Sequence, residues 1–156
     1  MLALQALCVS EAVGAAFLAE LGTFLRDTQV QHDAGIEPPA DESSVQFAVR
    51  LVRGAAGTLP DLDRRLQEKS AEWKIARMPP VDRNILRLGL YELLHETETP
   101  PPVILSEAAD LAARFGDAAS PAFVNGVLDA LRREVCGAAA AAASHSGSPR
   151  DDHGPV

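Results

Sequence analysis

From Pro79 onward the chain reads PPVDRNILRLGLYELL, a proline break, PPVILSEAADLAARFG and then SPAFVNGVLDALRRE. Proline or serine opens each run, and Gly116 closes the second. Proline fits the first turn of a helix but not its interior, and glycine just past the last turn ends one. This punctuation therefore predicts three short helices in succession. In the first, Ile85, Leu86, Leu88, Leu90, Leu93 and Leu94 supply a broad apolar face at helical spacing. The positions expected to be exposed carry Arg83, Arg87, Tyr91, Arg114, Phe123 and Asn125, which are binding side chains with no catalytic set beside them.

The rest of the chain extends this reading to an all-α fold class. Hydrophobic residues make up 47% of the 156 positions but aromatics only 4%, so one core is filled by aliphatic side chains, and few segments alternate as strands do. Residues 1–13 and 15–27 read as two helical segments parted near Gly14, with Leu4, Leu7, Cys8 and Glu11 recurring every three or four residues in the first. Thr28 to Ser43, with Gly35, Pro38 and Pro39, reads as a loop. Ser43 or Ser44 is expected to cap a helix whose apolar stripe is Val45, Ala48, Val49 and Val52. Thr58, Pro60 and Asp61 mark the next helix start, turning Leu59, Leu62 and Leu66 inward. Trp73 and Ile75 are expected to plug the seam between halves, with Trp73 read as a core residue in preference to a base-stacking one. Past Arg133 the sequence becomes GAAAAAASHSGSPRDDHGPV in residues 137–156, a low-complexity tail expected to be disordered, which leaves residues 1–136 as the domain.

A net charge of −8 argues against a protein that coats nucleic acid non-specifically, because such affinity comes from neutralising many phosphates. Charge is unevenly distributed, however. Arg64, Arg65, Lys69, Lys74, Arg77, Arg83 and Arg87 cluster against Glu68, Glu72 and Asp82, which is either a locally basic surface on an acidic body or a pair of solvated helix faces. Arg83, Arg87 and Tyr91 stand at i, i+4 and i+8. Two cations one turn apart need compensation, and the spacing leaves open an internal acid such as Glu107 or Glu92, a phosphate, or a partner carboxylate. Ser120 and Pro121 open the last helix and place Phe123 and Asn125 in its opening turn, where unsatisfied N–H groups attract anions.

Cys8 and Cys136 form no CxxC or Cys/His spacing, so neither a zinc site nor a disulfide framework is expected, and a reducing cytosol is the economical compartment. The opening MLALQALCVSEAVGAAFLAEL lacks a cationic start and is interrupted by Glu11 and Glu20, against secretion or membrane insertion. No HExxH, GxSxG, GxGxxG or P-loop pattern occurs, and Asp61 with Asp63 reads as helix-start charge. The expectation is a binding protein, not an enzyme.

VDRNILRLGLYELL, the proline break before VILSEAADLAARFG, and above all SPAFVNGVLD resemble the NusB family of bacterial transcription antitermination factors, and LALQAL looks like that family's first helix. The similarity covers about residues 2–134. It implies two small packed helix bundles, no cofactor and no metal. It further implies binding of the boxA element of ribosomal RNA transcripts together with NusE, a small-subunit ribosomal protein, within an RNA polymerase antitermination complex in the cytoplasm. Carried over by position, Arg83 and Arg87 match basic positions of the central helix, Asp82 an acidic position toward the protein partner, and Phe123 and Asn125 the FVNG run beside the RNA. Phe123 is open to an alternative role as a core anchor, Asn125 to local capping.

The departures are Cys8 where an aromatic is usual, Ser106 in place of asparagine, and Ala119 at a commonly acidic loop position. The family's arginine-rich segment ahead of LALQAL has no counterpart after Met1, so the expectation is either a start placed too late or a weakened RNA affinity. Two further readings stand beside the first. One is a protein-only module that retains NusE binding or forms a homodimer through its apolar first helix. The other is the RNA-positioning domain of a ribosomal RNA methyltransferase, for which no methyltransferase segment is present.

Overall fold

The run Pro80–His95 folds as the predicted central helix, and neighbours on every side determine which of its residues are buried. The computed structural model describes residues 1–70 and 73–145, with side chains through residue 138. Among them the elements are α1 (Leu2–Val13), α2 (Phe17–Arg26), α3 (Thr28–Asp33), α4 (Glu42–Gly57), α5 (Leu59–Lys69), a 3-10 turn (Ile75–Arg77), α6 (Pro80–His95), α7 (Pro101–Phe115) and α8 (Ser120–His145). Helices α1–α4 pack as one group and α5–α8 as another. Helix α6 joins them, because it contacts α1 and α4 on one side and α5, α7 and α8 on the other. The described residues form an all-α fold, as composition and periodicity implied, in two packed bundles, as the family resemblance implied.

Leu2, Leu4, Leu7, Leu21, Leu25, Leu51, Val52, Leu62, Leu66, Leu86, Leu90, Val124 and Leu128 fill the core. Each such side chain removed from water contributes on the order of 1.5–3 kcal/mol before entropy is subtracted. Close approach is possible where glycine interrupts the apolar faces. A Cβ at Gly89 would lie 2.7 Å from Leu128 Cδ1, so the absence of a side chain there lets α8 approach α6. Gly14, at φ +98°, makes the break between α1 and α2.

Local chemistry differs from the sequence reading in four places. Residues 28–33 are helical, because the Asp27 side chain accepts hydrogen bonds from the N–H groups of Gln29 and Val30. Asp41, not Ser43 or Ser44, caps α4, accepting from the Ser44 N–H at 2.7 Å. The Thr58 hydroxyl donates back to Gly54 O at 2.9 Å, so it closes α4 instead of capping α5. Finally, α8 continues through the alanine run to His145, since alanine is the best helix former and one glycine does not stop it. The disorder expected of residues 146–156 lies outside the described residues.

Candidate nucleic-acid interface

Arg83 and Arg87 lie on the α6 face turned toward α1 and α5, and both find acids there. Arg87 grips Asp63 with two prongs, Nε to Oδ1 and Nη2 to Oδ2, each 2.7 Å. Its Nη1 donates to Glu11 Oε1 at 3.1 Å and to Asn84 Oδ1 at 3.0 Å, and its side chain is only 8% exposed. Arg83, 13% exposed, reaches the same Glu11 oxygen through Nη2 at 2.7 Å. Asn84 Nδ2 donates to the other Glu11 oxygen at 2.8 Å.

Burial alone would raise the Glu11 pKa, but hydrogen bonds from Asn84 and Arg87 and the charges of both arginines outweigh it and leave the carboxyl below its ordinary value. Burial likewise opposes the charge on Arg87, and the Asp63 carboxylate overcomes it, so that pKa is raised. Two guanidinium groups face two carboxylates, and the cleft between α1, α5 and α6 carries no surplus positive charge. The compensation that the spacing left open is therefore internal, supplied by Glu11 and Asp63. Glu107 and Glu92 lie elsewhere, in the groove between α1, α4, α6 and α7.

Asp82 was expected on a partner-facing surface, yet it is only 5% exposed. In the first turn of α6, it turns toward the start of α8, where its Oδ2 lies 2.8 Å from the Ser120 hydroxyl. Asp117 completes this corner by accepting from the N–H groups of Ala119 and Ser120. Asp82 Oδ1 is buried without a hydrogen-bond partner among the described residues.

Asn125 is exposed, but it falls in the second turn of α8, beyond the N–H groups left free at a helix start. Phe123 stands in the first turn and is half-buried. Two residues on a helix are about 200° apart, so Phe123 and Asn125 point in different directions.

Trp73 reverses its expectation. It does not plug the seam; Ile75 is buried there while Trp73 is 59% exposed. Its indole meets the Phe123 ring in a T-shaped contact, with centroids 6.3 Å apart. The backbone carrying it is fixed from two sides. Gln67 Nε2 donates to Trp73 O at 3.2 Å while Gln67 Oε1 accepts from the Ile75 N–H at 3.0 Å. Arg83 Nη1 donates to Met78 O at 2.9 Å and to Ile75 O at 3.3 Å. Arg83 thus ties α6 to the segment that presents Trp73, and Lys74 and Arg77 in that segment are exposed.

Sequence reasoning missed Glu11 and Asp63 because each lies far along the chain from its arginine. One signal was readable. Glu11 is the only charged residue of α1 and stands in register with Leu4, Leu7 and Cys8, so a lone charge was placed on an apolar stripe.

Comparison with known proteins agrees with this architecture. The NusB family model matches residues 1–133. The transcription antitermination protein NusB of Sorangium cellulosum is 41% identical over 133 residues, covering 85% of this chain and 88% of the relative. The structure of T. maritima NusB superposes with a TM-score of 0.60 at 31% identity, over 76% of this chain and 89% of that one. A structure of antitermination factors NusB and NusE in complex with dsRNA gives a TM-score of 0.66 at 24% identity, over 85% and 92% of the two chains, a likeness of fold.

Proposed function

Because this chain belongs to the NusB family, we propose that it acts as a transcription antitermination factor that binds the boxA element of ribosomal RNA transcripts together with NusE. The observation that carries this reading is the family match, which runs through α1 to the middle of α8 and so includes every element around the Glu11, Arg83 and Arg87 cluster. The relatives are transcription antitermination proteins, not enzymes, and the chain is a binding platform. No helix among the described residues is long and apolar enough to cross a membrane.

In this reading RNA lies against the start of α8, where Phe123 offers a ring to an unpaired base. Arg83 and Arg87 support that surface from behind, since a phosphate contacting either one would compete with Glu11 or Asp63. Asp82 sets the junction of α6 and α8, beside which the protein partner docks. Size-exclusion chromatography of the chain mixed with NusE and boxA RNA tests the proposal. Co-elution of all three supports it; separate elution of the RNA contradicts it. A protein-only role is favoured by one observation, the complete internal neutralisation of Arg83 and Arg87, and co-elution with NusE alone would establish that role.

A further inference from the structure

We propose that Trp73 is an RNA-stacking residue, paired with Phe123 in one aromatic platform and flanked by Lys74 and Arg77 as phosphate contacts. This rests on the reading of the chain as an RNA binder and names where an unpaired base is received.

Three observations carry it. The first is exposure on a fixed backbone. A tryptophan has a large apolar surface that folding normally covers, yet Trp73 remains 59% exposed while its neighbours Ile75 and Met78 are buried. Exposure from slack in the chain would leave its backbone groups unpaired. Instead Gln67 donates to its carbonyl, the Trp73 N–H donates to Ser70 O at 2.9 Å, and Arg83 secures the next turn. A side chain held ready in this way loses little entropy on binding.

The second is the partner ring. Phe123 meets the indole at 61° between planes, an edge contact that orients the tryptophan without covering both its faces. An open indole face beside a second aromatic is suited to the π-face of any base.

The third is charge. Lys74 and Arg77 are exposed on the same short segment, and neither has an ion-pair partner among the described residues, whereas Arg64, Arg65, Arg83 and Arg87 are all paired with acids. Exposed cations next to stacking rings match the combination by which proteins hold single-stranded nucleic acid. The larger groove between α1, α4, α6 and α7 has a different character, mostly apolar walls with Glu92 and Glu107 beside the Met1 amino group.

Trp73 is the chain's single tryptophan, so its emission reports on this site alone. The full chain with NusE would be titrated with single-stranded boxA RNA, reading tryptophan quenching and, separately, the anisotropy of fluorescein-labelled RNA. Stacking predicts saturable quenching that tracks the anisotropy curve. Trp73→Ala should weaken RNA binding roughly tenfold, Trp73→Phe should retain most of the affinity, and both should melt as the parent does because the residue is exposed. Replacing Lys74 and Arg77 together by alanine should reduce the slope of log affinity against log salt by about one to two.

Unquenched emission in the parent as it binds RNA, together with unchanged affinity in Trp73→Ala, would overturn the proposal and leave RNA binding intact. Loss of NusE affinity with RNA affinity preserved would overturn it in favour of a protein contact. A parent that binds no RNA even with NusE present would overturn both this proposal and the reading on which it rests.

Discussion

Arg87 and Asp63 form a two-pronged ion pair 24 residues apart in sequence, 2.7 Å on each prong, that links α6 to α5 beneath the surface. Removing one member of such a pair leaves the other charge without a partner in a poorly solvated place, and that cost exceeds the net contribution of the intact pair. Asp63→Ala is expected to lower unfolding free energy by about 3 kcal/mol, at the lower end for a buried pair because Asp63 is itself part-exposed. Urea denaturation of Asp63→Ala, Arg87→Ala and the double variant checks this. The account requires the double variant to be less destabilised than the sum of the singles.

Arg83 bonds Glu11 and two carbonyls of the turn that follows Trp73, so its replacement acts through structure first. Arg83→Glu would put a carboxylate against Glu11 and release both carbonyls. A drop in melting temperature of several degrees is expected together with weaker RNA binding, read by circular dichroism and anisotropy. Weaker binding with unchanged melting would instead make Arg83 a direct phosphate contact.

Glu92 faces Glu96, Glu107 and the Met1 amino group, and burial first, then its acidic neighbours, push its pKa up to about 7. A carboxyl raised in the folded state above its unfolded value keeps its proton while the unfolded chain loses it, so stability falls as pH rises from about 4.5 to about 7 and stays lower above that. Glu92→Gln should therefore raise the melting temperature at pH 8 and leave it nearly unchanged at pH 4. Equal effects at both pH values would show that the carboxyl does not titrate in this window.

At the junction of α6 and α8, Asp82 Oδ2 and the Ser120 hydroxyl share a buried hydrogen bond of 2.8 Å. Ser120→Ala would leave both Asp82 oxygens without a donor and is expected to cost about 1–3 kcal/mol. Asp82→Asn, which can still accept from Ser120, should cost less. Parallel measurement of NusE affinity separates the two roles: a fall in Asp82→Asn without a matching fall in stability would put Asp82 in the partner contact.

The sequence showed the helices wherever periodicity and punctuation agreed, as in α6 and α7, whose proline starts coincide with the observed boundaries. It showed less where a side chain chose between neighbouring backbone groups. Asp27 built a helix in what read as loop, and Thr58 bonded backward when forward capping was expected. Site residues were legible as types but not in their commitments. Two arginines a turn apart indicated a need for acid, yet Glu11 and Asp63 were hidden by sequence distance. Trp73 misled because tryptophan is usually buried, and only tertiary geometry shows that Ile75 and Met78 fill the space beneath it.

Anisotropy titration of labelled boxA RNA against a scrambled control, at two salt concentrations with and without NusE, decides whether the chain binds RNA with a sequence preference that NusE assists. The expected result is a preference for boxA that NusE strengthens, with a shallow salt dependence because Arg83 and Arg87 are neutralised internally. Equal affinity for boxA and scrambled RNA under every condition would contradict it.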